Sequence, residues 1–207
     1  MEVKIKICGI TRYEDARVAI NLGVDALGFI FYEKSPRHIT PARAGAIIAK
    51  LPPFVAKVGV FVDAHPAAIM DAAQESGIDT VQLHGNETPD IARRLPFTVI
   101  KAFPVGPDFD PQALESWDVA GFLLDTWDDS RKGGTGKSFD WSTARTVVAE
   151  HKKNVILAGG LGPVNIREAL DAVRPYAVDF NSGVEIKPGV KNPHKMKDAV
   201  GIVKAWE

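Results

Sequence analysis

Apolar and polar positions follow one another along this chain in two rhythms. Short runs rich in aliphatic and β-branched residues recur at Lys4–Cys8, Ala26–Phe31, Ala56–Val62, Thr80–Leu83, Thr98–Phe103, Gly121–Asp125, Val155–Ala158 and Ala177–Asn181. Several are continuous apolar stretches, the pattern of parallel strands buried on both faces. Between them the period lengthens to that of a helix, near Tyr13–Leu22, Pro41–Lys50, Pro66–Ser76, Pro89–Leu95, Pro111–Ser116, Ser142–Glu150, Pro163–Ala172 and His194–Trp206. Proline stands near several of these starts, where its fixed φ suits a first helical turn and its missing N–H does no harm.

Eight strand-then-helix units in 207 residues predict parallel pairing with right-handed crossovers. Eight suits closure into an α/β fold of the (β/α)8 TIM-barrel type, one domain over residues 1–207. A doubly wound open sheet shares the alternation and is the alternative. In a barrel the active site lies at the carboxyl ends of the strands. The residues found there are Cys8-Gly9, Phe31 onward, Asp63, His84-Gly85, Asp125, Gly159-Gly160 and Asn181-Ser182-Gly183. Polar residues and glycines collect at that one end, more than a bare scaffold requires.

Composition narrows the partners. Lys and Arg number 25 against 26 Asp and Glu, without the basic excess that nucleic-acid binding leaves. A single cysteine excludes an internal disulfide and any multi-cysteine zinc site. The five histidines lack metal-ligand spacing, so no metal is expected. The longest uncharged apolar stretches, such as Ala26–Tyr32, are far short of the roughly 20 residues of a membrane span. The opening MEVKIKICGI reads as a strand rather than a signal peptide. These features predict a cytoplasmic protein, monomer or homodimer, with neither nucleic acid nor membrane as partner.

The strand ends carry the candidate chemistry. Cys8 closes the first run, in KICGIT, either as a small buried apolar side chain or as a base or nucleophile. Asp125 closes GFLLD, either as a structural rim carboxylate or as an acid. On strands one and six of a barrel the two could face each other across the mouth, which suits proton transfer. AGGLGP after the seventh run and NSGVE after the eighth let backbone N–H groups converge on an anion. The corresponding loops of barrels frequently hold phosphate. Arg37, in KSPRH, offers a planar fork to a carboxylate, and His84 reads as a substrate contact or a hydrogen-bonded rim residue. RKGGTGKS fails the Walker pattern because Arg131 stands where its first glycine is needed. A glycine-hinged lid with Lys137 reaching an anion fits better. AGGLGP likewise fails the dinucleotide fingerprint at Asn165, so no nucleotide cofactor is indicated.

Taken together, KICGIT (Lys6–Thr11), GFIFYEKSPRHI (Gly28–Ile39), VGVFVD (Val58–Asp63), VQLHGNE (Val81–Glu87), LLDT (Leu123–Thr126), GGTGKSFDW (Gly133–Trp141), AGGL (Ala158–Leu161) and NSGVE (Asn181–Glu185) resemble the phosphoribosylanthranilate isomerase family. The motifs run in order over nearly the whole chain. The resemblance implies a cofactor-free Amadori rearrangement of a phosphosugar, N-(5-phosphoribosyl)anthranilate, in tryptophan biosynthesis. It implies Cys8 as general base, Asp125 as general acid and Arg37 as the clamp on the anthranilate carboxylate. Phosphate would sit on backbone amides around Gly159, Gly160, Ser182 and Gly183, under a lid containing Gly134, Gly136 and Lys137. One departure is visible: the family usually has two serines before GVE, and here the first is Asn181.

Two other readings compete. An aldolase-type barrel would use Lys101, at the end of strand five, as a Schiff-base amine. A non-catalytic phosphosugar-binding module would need neither Cys8 nor Asp125.

Overall fold

The computed structural model describes residues 2–106, 109–125, 141–151 and 153–206. Eight parallel strands close into a barrel in chain order: β1 Lys4–Ile7, β2 Ala26–Ile30, β3 Ala56–Phe61, β4 Thr80–Leu83, β5 Thr98–Pro104, β6 Gly121–Asp125, β7 Asn154–Ala158 and β8 Ala177–Phe180. β8 returns to β1 through Lys4↔Ala177 to Ile7↔Phe180. Closure removes both sheet edges and settles the choice between barrel and open sheet.

Helices α1 Tyr13–Asn21, α2 Pro41–Ile48, α3 Pro66–Ser76, α4 Pro89–Arg93, α5 Ser142–Glu150, α6 Ile166–Val173 and α7 Pro193–Lys204 cover the outside. Their starts follow from local chemistry. Thr40, His65 and Asn192 stand directly before Pro41, Pro66 and Pro193, and each side chain accepts a backbone N–H of the first turn. Among the described residues no helix is long and apolar enough to cross a membrane.

Three elements differ from expectation. Pro111–Ser116 forms a 3₁₀ helix, since six residues between the Asp110 cap and buried, extended Trp117 leave no room for a second α-turn. The helix expected from Pro163 starts at Ile166. Asn165 folds back first, accepting from Gly162 N at 2.8 Å and donating to Gly160 O at 3.3 Å. After β8 a small hairpin, β9 Glu185–Lys187 and β10 Val190–Lys191, turns at Gly189, whose φ of 77° favours glycine.

Outward residues such as Ile5, Ile7, Leu27 and Phe29 join the main core beneath the helices. Inward residues stack in layers of four from alternate strands, as barrel stagger requires. The pairing register gives, from the middle upward, Lys6, Val58, Ile100 and Ile156, then Gly28, Gln82, Leu123 and Asp179, then Cys8, Val60, Ala102 and Ala158. Above them, at the mouth, come Ile30, His84, Asp125 and Asn181. The interior is apolar on the β5–β7 side, where Ala102, Leu123, Ile156, Ala158 and Ala177 cluster. On the β8–β1 side it is charged.

Candidate active site

Cys8 follows β1 directly and is 3% exposed. Its N–H donates to Phe180 O at 2.8 Å, and its side chain packs with Ile30 and Val60. A Cβ placed on Gly28 would lie 2.7 Å from Cys8 Sγ and 3.2 Å from Lys6 Cε, so glycine at 28 makes room for both. Lys6 Nζ donates to Asp179 Oδ2 at 2.9 Å, with both side chains buried. Burial pushes the Cys8 thiol up, and Asp179 adds to that, against the pull of the Lys6 and Lys191 ammonium groups. Burial also pushes the Asp179 carboxyl up, opposed by Lys6.

At the opposite part of the mouth, Asp125 ends β6 and His84 follows β4. His84 Nε2 lies 3.4 Å from Asp125 Oδ2, and His84 Nδ1 lies 2.9 Å from Gln82 Nε2. The orientation of the Gln82 amide decides which ring nitrogen of His84 carries the proton. His84 thus lies at the rim beside the candidate acid.

Arg37 arrives from the loop after β2 and is gripped rather than free. Its Nε and Nη2 donate to Glu185 at 3.0, 3.0 and 2.7 Å. Lys191 Nζ donates to the same carboxylate at 2.9 Å and to Asn181 Oδ1 at 3.0 Å. Burial pushes Glu185 up, but the hydrogen bonds and charges of Arg37 and Lys191 outweigh it and hold the carboxyl below its usual range. Burial pushes Lys191 down, against Glu185. Asn181, the departure from the family pattern, therefore spends its side-chain oxygen on Lys191. That oxygen would lie 2.7 Å from a Cβ on Gly9, whose φ of 73° already favours glycine.

The glycine turns after β7 and β8 lie side by side. Gly159 and Gly160 have φ of 99° and 59°, and Ser182–Val184 is a 3₁₀ turn. A Cβ on Gly183 would run into Leu161 O, so the two loops touch backbone to backbone. Among the described residues no acceptor meets the N–H groups of Gly159, Gly160, Ser182 or Gly183. Free backbone donors in left-handed and turn conformations are the kind of arrangement that can bind an anion.

Gly134, Gly136 and Lys137 lie outside the described residues. Lys101 is not an amine at the mouth. It pairs with Leu83 in register, on the outward face, where Nζ donates to Glu87 Oε2 at 2.7 Å and Gly85 O at 2.6 Å. The rings of Phe103 and Trp117 flank it at 5.6 and 5.2 Å, which removes the amine of the aldolase-type reading. Sequence reasoning passed over Lys6, Gln82, Asp179, Glu185 and Lys191. The available signal was a polar residue at an inward position of an apolar strand, as in KIKIC, TVQLH and AVDFN. Among the described residues no group of three His, Cys, Asp or Glu could hold a metal ion.

Known proteins match the chain over nearly its whole length. The family model for N-(5'phosphoribosyl)anthranilate (PRA) isomerase matches residues 5–201. The N-(5'-phosphoribosyl)anthranilate isomerase of Geotalea uraniireducens (strain Rf4) is 50% identical over 197 residues, 95% of this chain and 96% of the relative. The crystal structure of phosphoribosyl anthranilate isomerase from Thermotoga maritima superposes with a TM-score of 0.90 at 43% identity, covering 99% of this chain and 100% of the other. A second solved isomerase, in complex with reduced 1-(o-carboxyphenylamino)-1-deoxyribulose 5-phosphate, gives 0.88 at 40% identity, covering 99% and 100%. With sequence and barrel matched from β1 to α7, the chain belongs to the N-(5'-phosphoribosyl)anthranilate isomerase family.

Proposed function

We propose that this protein catalyses the Amadori rearrangement of N-(5-phosphoribosyl)anthranilate to 1-(2-carboxyphenylamino)-1-deoxyribulose 5-phosphate in tryptophan biosynthesis. The observation that carries the reading is the gathering of Cys8, Asp125, Arg37 and the paired glycine loops at one end of the barrel, each on a different strand end. A small substrate with a phosphate at one end and a carboxylate at the other suits that layout. The molecule bound to the solved relative is a reduced form of this product, which supports the same substrate here.

In this scheme Asp125 gives a proton to the ribose ring oxygen. The C1–O bond breaks as the nitrogen lone pair forms C1=N. Cys8, as thiolate, then takes the proton from C2, and the C–H electron pair moves toward C1 to give an enolamine that tautomerises to the ketone. Arg37, aimed by Glu185, holds the anthranilate carboxylate through its remaining N–H groups. Amides at Gly159, Gly160, Ser182 and Gly183 take the phosphate without a compensating protein bond to break. No step calls on a metal or cofactor. Residues 1–207 act as one catalytic domain in the cytoplasm, as monomer or homodimer.

The test is the decay of anthranilate-type fluorescence when protein is added to freshly generated substrate. Asp125→Asn and Cys8→Ala should each slow turnover by roughly 100-fold or more, the usual scale for an acid or base. Near-normal turnover in either variant would remove that role, and a folded wild-type protein without activity would remove the reaction and leave the phosphosugar-binding module.

A further inference from the structure

We propose that Lys6, held by Asp179, is a positioning residue for the base: its ammonium stands beside Cys8 and supplies the positive charge against which the thiolate forms. This rests on the reading of Cys8 as the base. A buried thiol in surroundings that favour its neutral form needs a neighbouring cation to ionise.

The geometry is specific. Lys6 and Cys8 are two residues apart on one strand, so both point into the barrel. Glycine at 28, between them on β2, lets the lysine stem rise one layer. Lys6 Cε and Cys8 Sγ both come within 3.2 Å of the single point a Cβ of residue 28 would occupy. The ammonium cannot drift from there, because Asp179 Oδ2 binds it at 2.9 Å and the side chain is only 4% exposed. Asp179 Oδ1 has no other partner among the described residues, so the carboxylate's one strong contact is Lys6. A surface lysine would be screened and mobile; this one is neither.

The charged groups acting on Cys8 come from three elements: Lys6 on β1, Asp179 on β8 and Lys191 on β10. From the loop after β2, the Tyr32 ring packs against its cluster. Lys191, bound to Glu185 and Asn181, pulls on Cys8 less than Lys6 does. When the thiolate takes the C2 proton, S–H forms and C2–H breaks. The site then passes from an ammonium–thiolate pair to an ammonium facing a thiol, still neutralised by Asp179.

Cys8 is the only cysteine in the chain, so thiolate absorbance near 240 nm, with the Cys8→Ser protein as blank, reports it alone. Lys6→Met should raise the titration midpoint by about one to three units, the range for losing a neighbouring opposite charge. The limb of the kcat/KM profile that reports the thiolate should move with it. Asp179→Asn should do the opposite and lower the midpoint, because it deletes the like charge while its amide oxygen still accepts from Lys6. A purely structural ion pair predicts that both variants lose stability and neither moves the midpoint. That outcome overturns the proposal, as do shifts of the same sign. If Lys6→Met fails to fold, the double variant Lys6→Met/Asp179→Asn removes both charges at once, and its midpoint must lie above that of Asp179→Asn. The absorbance readout is independent of turnover. Active wild type with unmoved midpoints would sink this inference alone, and inactive wild type with opposed shifts would sink only the reaction.

Discussion

Replacing Glu185 by Gln isolates the grip on the substrate clamp. The carboxylate is 4% exposed and receives Arg37, Lys191 and the Gly189 N–H, the last at 3.1 Å. Glutamine keeps the shape but offers one acceptor and no charge, leaving two cations facing a neutral amide. Removing one partner of a buried ion pair costs about 3–5 kcal/mol. Arg37 keeps 18% of its side chain in solvent, so water recovers part of the loss and the low end, about 3 kcal/mol, applies. For a chain of this size that is a fall of roughly 6–12 °C in Tm. Because the folded carboxyl titrates below its usual range, Glu185 stabilises the fold above the ordinary value near about 4.3. That contribution fades as pH falls through the lower folded value. Calorimetry should therefore show a wild-type advantage at pH 7 that narrows in acid. Steady-state kinetics should show KM rising more than kcat falls, since an Arg37 no longer aimed binds the carboxylate less well in ground and transition states alike. A Tm within about 1 °C of wild type, or an unchanged KM, would refute the claim that Glu185 holds Arg37.

Further outcomes follow from single contacts. Arg37→Ala should weaken substrate binding by about 1.5–3 kcal/mol, read as KM, while kcat changes less. Gly183→Ala should abolish phosphate-dependent affinity, because its Cβ meets Leu161 O and must part the two loops; inorganic phosphate competition measures it. Lys101→Met should leave Glu87 buried without its cation, costing about 3–5 kcal/mol. Borohydride should trap no substrate on Lys101 in the wild type, and a trapped adduct there would reverse its assignment to the outer face.

The barrel was legible in the chain because both its signals are local. Continuous apolar runs mark strands covered on both faces, and proline marks helix starts, as at Pro41 and Pro66. Strand ends were equally legible, so the places of Cys8, Asp125, Arg37 and the glycine turns came from sequence. Sequence did not carry which side of a strand faces inward at a given height. KIKIC reads only as a strand until closure places Lys6 inside against Asp179, 173 residues away. Lys101 reads as a strand-end amine until register turns it outward onto Glu87. Glu185, in a loop motif, acquires its meaning from Arg37, 148 residues earlier. Apolar periodicity and turn chemistry are encoded over a few residues, so one strand at a time discloses them. A buried charge is stable only beside its opposite, and in a closed barrel that partner is set by stagger and closure, which exist only once all eight strands are in place.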